Sequence, residues 1–196
     1  MNLCCIGTLA RPSLFTVFPH ALIPNSINGE TYAQFGQDFM LECQGLGGPG
    51  NNYQWQFNGE FISGERSPML ELSLVAVSNG GVYTCIVVNP FGADATNTLL
   101  IVSPYLVSEP VDVLADNGVR VDLLCGAVGF PTPTYQWWRA DGELIRDGIV
   151  TDSPTLTFDP VMYGDEGDYF CVASSLQASN SSQVATITSN CTIKTS

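Results

Sequence analysis

Residues 79–85 read Asn-Gly-Gly-Val-Tyr-Thr-Cys, and residues 165–171 read Asp-Glu-Gly-Asp-Tyr-Phe-Cys. Both stretches place a tyrosine two residues after a glycine and a cysteine two residues after the tyrosine. Alternate side chains lie on one side of a β-strand, so each tyrosine is expected to face inward together with its cysteine. The two stretches therefore predict two equivalent strands, and the sequence around them shows how far the equivalence extends.

The same series of motifs precedes each stretch. A segment with apolar residues at alternate positions ends at Cys43 in the first copy and at Cys125 in the second. A Tyr-Gln-Trp motif follows, with its tryptophan twelve residues after the cysteine in both copies. Asn-Gly-Glu at 58–60 then corresponds to Asp-Gly-Glu at 141–143. A repeat of this length predicts two equivalent domains of roughly a hundred residues each.

The local signals favour β-structure throughout. Apolar and polar residues alternate before Cys43 and Cys125, which is typical of half-buried strands. The Asn-Gly and Asp-Gly pairs lie between strand-like segments, where they favour tight hairpin turns. Pro131 and Pro133 exclude a helix before the second Tyr-Gln-Trp motif. The fold class predicted from these patterns is all-β.

Composition excludes several classes of function. Of the 196 residues, 45% are apolar and 13% are charged, and 19 Asp and Glu against 6 Lys and Arg give a net charge of −13. This charge repels phosphate backbones and anionic membrane surfaces, so we expect no nucleic acid partner. The sequence contains no run of eighteen apolar residues, so we expect no insertion into a membrane. His20 is the single histidine, and it is expected to lie outside both domains without a partner. We therefore expect no catalytic site, no metal site and no cofactor.

Seven cysteines indicate an oxidising, extracellular environment. Cys43 and Cys85 are 42 residues apart, and Cys125 and Cys171 are 46 residues apart. Long spacings in an acidic, lysine-poor chain are typical of secreted proteins and ectodomains. The remaining cysteines make the count odd, so at least one of them is free or pairs with another molecule. These three are Cys4, Cys5 and Cys191.

The double pattern Cys…Trp…Asp-x-Gly-x-Tyr-x-Cys resembles the immunoglobulin fold. The resemblance implies two tandem immunoglobulin-like β-sandwiches, each with a disulfide between its sheets, a tryptophan packed on that disulfide and a tyrosine corner. The residues implied for these roles are Cys43 with Cys85, Cys125 with Cys171, the core tryptophans Trp55 and Trp137, and the tyrosine corners Tyr83 and Tyr169. Domain 1 departs from the pattern because Asn79 stands where aspartate is usual, which leaves no acid for an Arg–Asp bridge there.

The subtype and the domain boundaries follow from the same resemblance. Asn89-Pro-Phe-Gly after Cys85 and the Gly-Phe-Pro motif at 129–131 are similar to the intermediate set (I-set) of adhesion molecules and receptor ectodomains. We expect an N-terminal extension at 1–21, with a partial signal peptide as the alternative, followed by domain 1 at 22–103 and domain 2 at 104–196. The short connector around Pro104 predicts an extended rod. A Ser/Asn-rich loop at 174–183 is expected between the last two strands of domain 2.

An exposed aromatic face is predicted on domain 2. Trp137 points into the core, so Trp138 points out, and Phe170 faces outward between Tyr169 and Cys171. The face is expected to consist of Gln136, Trp138, Phe170 and Val172, whereas the corresponding residues of domain 1 are Gln54, Gln56, Thr84 and Ile86. Exposed aromatic clusters often mark interfaces. The alternative is a cross-strand pair covered by neighbouring side chains.

Two further features concern modification and function. Asn180 and Asn190 match the N-x-Ser/Thr acceptor pattern for glycosylation. The resemblance implies an extracellular module of a cell-surface adhesion molecule, which binds a protein partner, homophilic or heterophilic, through the exposed face of domain 2. The alternatives are a ligand-binding ectodomain fragment of a signalling receptor, such as a receptor tyrosine kinase, and a structural spacer.

Overall fold

The computed structural model describes residues 19–24, 26, 29–47, 50–143, 145–146, 149 and 151–189. Within these ranges the regular structure is β-strand apart from two 3-10 turns, Val77–Asn79 and Tyr163–Asp165. Two all-β domains are present, as the sequence predicts. The predictions on Cys4, Cys5, Asn190 and Cys191 lie outside the described residues.

Domain 1 contains two packed sheets. Its strands are β1 (His20–Leu22), β2 (Glu30–Gln34), β3 (Phe39–Glu42), β4 (Gln44–Leu46), β5 (Asn52–Phe57), β6 (Glu60–Phe61), β7 (Met69–Leu72), β8 (Gly81–Asn89) and the first part of β9 (Gly92–Ser108). One sheet has the order β6–β5–β8–β9–β2, in which only β2 and β9 are parallel neighbours. Two separate antiparallel pairs, β3–β7 and β1–β4, complete the sandwich.

Domain 2 repeats this arrangement. Its strands are β10 (Val113–Ala115), β11 (Val121–Leu124), β12 (Gly126–Phe130), β13 (Thr134–Arg139), β14 (Thr155–Phe158), β15 (Gly167–Ser175), β16 (Ala178–Ser181) and β17 (Ala185–Ser189). One sheet has the order β10–β17–β15–β13, and β16 also pairs with β15. The β11–β14 pair lies opposite, and β12 pairs with the last part of β9. In immunoglobulin nomenclature, β13 is strand C, β15 is strand F, and β16 with β17 is strand G.

Each domain has its own apolar core. Trp55 and Trp137 are fully buried at the centres of the two cores, together with Leu41 and Leu123 from the facing sheets. The predicted Asn58-Gly59 turn joins β5 to β6, and both residues have positive φ, 49° and 88°. Because an Asn-Gly pair tolerates this conformation, the two-residue hairpin forms without strain.

Strand β9 passes through the junction between the domains without a break. It runs from Gly92 to Ser108 and includes the predicted boundary at 103–104. Phe130 of domain 2 packs against the core of domain 1, where the Cα of Gly80 leaves room for its ring. A Cβ at Gly80 would lie 2.3 Å from the ring of Phe130, so this close approach requires glycine.

Three details differ from the sequence predictions. Strand β1 begins at His20 and Ala21 is buried in the core, so domain 1 begins before the predicted residue 22. His20 belongs to domain 1 and has a partner, because its Nδ1 lies 3.2 Å from Asp94 Oδ2. The predicted loop at 174–183 is instead a tight hairpin, in which Ser175 on β15 pairs with Ala178 on β16.

Candidate recognition faces

The predicted scaffold residues hold the two sheets of each domain together. Disulfides join Cys43 to Cys85 and Cys125 to Cys171, with Cα–Cα distances of 6.3 and 6.5 Å. The indole N–H of each buried tryptophan donates to a main-chain carbonyl two residues before a strand of the facing sheet, β7 in domain 1 and β14 in domain 2. Trp55 donates to Ser67 O at 3.0 Å, and Trp137 donates to Ser153 O at 2.9 Å. These contacts fix the strands that carry the outward-facing side chains.

Both tyrosines make the main-chain bond of a tyrosine corner. The hydroxyl of Tyr83 donates to Asn79 O at 3.0 Å, and the hydroxyl of Tyr169 donates to Asp165 O at 2.8 Å. Burial raises the pKa of Tyr83 to about 12 because the phenolate is desolvated. Burial also raises the pKa of Tyr169, although the nearby Arg139 acts in the opposite direction. Both rings are therefore neutral at physiological pH.

Charged groups surround the tyrosine corner of domain 2. Asp165 is buried, and its Oδ1 lies 3.1 Å from Arg146 Nε. Arg139 donates from Nε to Asp141 Oδ2 at 2.9 Å and from Nη2 to Glu166 O at 2.7 Å. Its guanidinium lies 5.8 Å from the centre of the Tyr169 ring. The side chain of Asp165 and the main-chain carbonyl of Glu166 therefore support this corner of the sandwich.

The predicted residues of the domain 2 face form two adjacent cross-strand pairs. Trp138 on β13 lies opposite Phe170 on β15, and Gln136 lies opposite Val172. Trp138 is 52% exposed, whereas the other three are partly covered. We use "domain 2 face" for these four side chains. The register places them together, with the indole as the most accessible aromatic group of the set.

The corresponding face of domain 1 is wider than the sequence pattern predicts. Gln54 pairs with Ile86, and Gln56 pairs with Thr84, so the four predicted counterparts are also neighbours. Phe61 on β6 lies opposite Gln56 and is 64% exposed. The sequence-based prediction of this face did not include Phe61. The two-residue Asn58-Gly59 turn was the signal that could have found it, because such a turn pairs 57 with 60 and 56 with 61.

Strand register extends this surface across four strands. We use "domain 1 face" for the residues on β5, β6, β8 and β9 that are aligned by cross-strand pairing and lie opposite the core side. They are Asn52, Gln54 and Gln56, Phe61, Val82, Thr84, Ile86 and Val88, and Ala93, Ala95, Asn97 and Leu99. None of these side chains carries a charge.

The glycosylation candidate Asn180 lies on β16, not in a loop. It pairs with the buried Ala173, and its Nδ2 donates to Pro104 O at 3.2 Å. Its side chain is therefore partly covered and directed towards the start of domain 2. A sugar attached to Nδ2 leaves one N–H for this bond.

The described part of the chain holds no group of three His, Cys, Asp or Glu side chains suited to a metal ion. No helix within the described ranges has the length and apolar character needed to cross a membrane. Side chains fill both sandwich interiors, so the outer faces of the sheets are the candidate functional surfaces.

Two sandwiches, each with an intersheet disulfide, a buried tryptophan and a tyrosine corner, define an immunoglobulin-type architecture. The family model for the immunoglobulin domain matches residues 24–89 and 103–175. The chain therefore belongs to the immunoglobulin superfamily.

Relatives and solved structures agree with this assignment. The chain is 30% identical to contactin-2 of Homo sapiens over 181 residues, which are 88% of this chain and 16% of contactin-2. It is 31% identical to hemicentin-2 of Mus musculus over 160 residues, which are 76% of this chain and 3% of hemicentin-2. The chain thus corresponds to a small part of these relatives.

Two solved structures share the fold over most of the chain. The insect immune protein hemolin superposes with a TM-score of 0.57 at 22% identity, covering 92% of this chain and 49% of hemolin. The N-terminal eight immunoglobulin domains of the Down syndrome cell adhesion molecule superpose with a TM-score of 0.57 at 28% identity, covering 89% of this chain and 25% of that one.

Proposed function

We propose that this chain is an extracellular, noncatalytic recognition module of a cell-surface adhesion molecule. It binds a protein partner through the domain 2 face, with Trp138 at the centre of the contact. The similarity to a contactin and to a solved cell adhesion molecule supports the adhesion class. The half-exposed indole of Trp138, beside Phe170 in the register, is the observation that supports the choice of face.

The physical basis of this proposal is the energetics of aromatic contacts. A tryptophan buries a large area with little loss of conformational entropy, and tryptophan is enriched among residues that dominate binding energy. Trp138 lies on a rigid strand whose main chain pairs along its length with β15. The indole of Trp138 is therefore preorganised for binding, which lowers the entropic cost of association.

Charge bears on the kind of partner. At a net charge of −13, the chain attracts basic proteins at long range and repels other acidic ones. A heterophilic partner with a basic surface suits the domain 2 face, since Asp168 precedes Phe170 by two residues on the same side of β15. A homophilic contact at this face would bring the Asp168 carboxylates of the two copies close together.

The experiment is a binding screen with tetramers of the whole chain against an arrayed set of extracellular domains that includes the chain itself. Every binder is measured again with Trp138→Ala and with Tyr163→Ala, which removes another exposed aromatic side chain of domain 2. We expect binding to weaken at least tenfold in Trp138→Ala and to persist in Tyr163→Ala. Binding that is unchanged by Trp138→Ala would contradict the proposed face. The absence of any binder would support the spacer alternative.

A further inference from the structure

We propose that Asn180 carries an N-linked glycan whose first sugars occupy a groove between the two domains and hold the domains together. This site is separate from the domain 2 face and goes beyond the proposed function. The shape of the groove, the position of Asn180 within it and the chemistry of its walls all favour this occupant.

The groove lies where the β15–β16 hairpin of domain 2 approaches domain 1. Tyr32 and Gln34 on β2 line one side, the hairpin lines the other, and the connecting strand β9 contributes Ser103 and Pro104. Its volume of about 480 Å³ lies within the range of about 300–1,000 Å³ for small-molecule sites. Two N-acetylglucosamine rings are similar in size to the ligands of such sites, so the groove can hold the first sugars of a glycan.

Tyr32 joins the two sides of the groove. Its hydroxyl donates to Glu30 Oε2 at 2.6 Å. This bond to Glu30 raises the pKa of Tyr32, whereas a hydrogen bond from the main-chain N–H of Gln177 acts in the opposite direction. Gln177 belongs to the turn between β15 and β16, so the tyrosine of domain 1 is in contact with domain 2. A sugar held in the groove therefore touches both domains.

Asn180 directs its side chain towards this groove. It lies on β16 within the acceptor motif Asn-Ser-Ser, and its Nδ2 donates to Pro104 O at 3.2 Å. The side chain is partly exposed, so a group attached to Nδ2 begins in the groove and continues into solvent. Because Nδ2 carries two hydrogens, one N–H remains for the bond to Pro104 after attachment.

The attachment is a group transfer in the secretory pathway. The bond between Nδ2 and C1 of N-acetylglucosamine forms as the bond between C1 and an oxygen of a lipid-linked diphosphate donor breaks. The diphosphate leaves with the electron pair of that bond, and Nδ2 releases one proton to solvent. Both disulfides indicate that the chain passes through an oxidising compartment of this kind. In the folded domain Ser182 Oγ accepts from the main-chain N–H of Cys171 at 3.0 Å, so we expect the transfer to precede folding.

The walls of the groove suit a neutral sugar. None of the described residues that line it is acidic or basic. Gln34 and Gln177 contribute amides and Ser179 contributes a hydroxyl, and these groups both donate and accept hydrogen bonds. The hydroxyls and the acetamido group of N-acetylglucosamine do the same. The ring of Tyr32 supplies an apolar surface for the C–H groups of the sugar.

Covalent attachment makes a weak contact between sugar and groove effective. A tethered group has a high local concentration at a site within its reach. A sugar that binds only when both sides of the groove are in place stabilises that arrangement of the domains. The glycan is therefore expected to act as a brace across the junction.

Nuclear magnetic resonance of the chain with one N-acetylglucosamine at Asn180 tests the position of the sugar. The chain is secreted from eukaryotic cells with Asn190→Gln, which removes the other acceptor motif, and an endoglycosidase trims the glycan to its first sugar. Peptide mass spectrometry is expected to find Asn180 modified in most molecules. We expect nuclear Overhauser effects between protons of the sugar and the ring of Tyr32, and Tyr32→Ala identifies these signals.

Thermal unfolding tests whether the glycan acts as a brace. The same chain is prepared without sugar by blocking synthesis of the lipid-linked donor, so no substitution at Asn180 is needed. We expect the glycosylated chain to have a Tm higher by about 2–4 °C. In Tyr32→Ala the glycan is expected to change the Tm by less than half as much, because one side of the groove is lost.

A glycan moved to another site provides the matched control. Val119→Thr creates an acceptor motif at Asn117, which is exposed, and Asn180→Gln removes the original one. A sugar at Asn117 is expected to give no Overhauser effect to Tyr32, and its effect on the Tm is expected to be the same with and without Tyr32→Ala. Trp138→Ala is expected to leave every result for Asn180 unchanged, which separates this proposal from the proposed function.

Several results would overturn the proposal. Unmodified Asn180 in the secreted chain would do so, as would a modified Asn180 whose sugar shows no Overhauser effect to domain 1. An equal gain in Tm with and without Tyr32→Ala would show that the glycan does not act through the groove. Micromolar binding of free N,N′-diacetylchitobiose to the chain without sugar would assign the groove to a separate saccharide instead.

Discussion

The two tyrosine corners make the same main-chain hydrogen bond in different surroundings. In domain 1, Tyr83 packs against Phe57, with ring centres 4.9 Å apart, and its acceptor is the carbonyl of the neutral Asn79. In domain 2, the residue facing Tyr169 across the strands is Arg139, and its acceptor is the carbonyl of Asp165. The geometry of the corner therefore does not require the charges that domain 2 carries.

The side chains of Asn79 and Asp165 explain why the two corners have the same geometry. Each accepts a main-chain N–H three residues earlier: Asn79 Oδ1 accepts from Ala76 at 2.8 Å, and Asp165 Oδ2 accepts from Met162 at 2.8 Å. The amide oxygen of Asn79 and the carboxylate oxygen of Asp165 thus stabilise the 3-10 turn through the same hydrogen bond. What domain 2 adds is the ion pair with Arg146, whose counterpart by sequence alignment in domain 1 is Ser63.

The largest predicted effect comes from giving domain 2 the neutral residue of domain 1. Asp165→Asn preserves the hydrogen bond from the main-chain N–H of Met162 but removes the charged partner of Arg146. Because Asp165 is buried and Arg146 is partly exposed, we expect a loss of about 3 kcal/mol, at the lower end of the range for broken buried ion pairs. Chemical unfolding of the two-domain chain, followed as a separate domain 2 transition, measures it.

A double-mutant cycle with Arg146→Ser checks the origin of this loss. If the ion pair is responsible, the double variant loses less stability than the sum of the two single variants, with a coupling of about 1–3 kcal/mol. Additive losses would show that the two side chains act separately. The reverse substitution, Asn79→Asp in domain 1, supplies an acid without an arginine and is expected to destabilise that domain.

The next largest effect is expected from Tyr83 at alkaline pH. Its pKa in the folded state is raised from 10.0 to about 12, so folding favours the neutral phenol. The stabilisation is complete below pH 10 and is lost as the pH rises towards about 12. The shift corresponds to roughly 3 kcal/mol. Thermal unfolding of domain 1 between these pH values is expected to show the loss, and Tyr83→Phe is expected to reduce the pH dependence. An unchanged dependence in that variant would assign it to another group.

The packing of Phe130 is a second difference between the domains, because the core of domain 1 includes a ring from domain 2. Gly80→Ala would place a Cβ against this ring, and we expect a loss of about 1–3 kcal/mol in the stability of domain 1. Combining it with Phe130→Ala removes the clash, so Gly80→Ala is expected to cost little in that background. A similar cost in both backgrounds would show that the effect of Gly80→Ala does not arise at the junction.

Sequence patterns predicted the elements that depend on local spacing. The two-domain repeat and the strands around Trp55 and Trp137 follow from periodicity, since alternation determines which side chains face a core. The β15–β16 hairpin was predicted as a loop because the segment after Cys171 lacks the Asn-x-x-Gly motif of domain 1 and is rich in serine and asparagine. Its turn instead uses Leu176, which adopts a positive φ of 52° that leucine does not signal in a sequence. Phe130 could not be placed, since its position depends on how domain 2 follows domain 1 and not on any local pattern.

The smallest predicted effect concerns the charge beside Tyr169. Arg139 lowers the pKa of Tyr169 while burial raises it, and domain 1 has Phe57 in the equivalent position. Arg139→Phe therefore removes an opposing influence, and the pKa of Tyr169 is expected to rise further above its ordinary value. Alkaline titration of tyrosinate absorbance in the folded chain measures this shift, with Tyr169→Phe identifying the signal. If the titration of Tyr169 does not move, the guanidinium over the ring has no electrostatic effect on it. The pKa of Tyr169 would then be set by burial and by the charges of Asp165, Asp141 and Arg146.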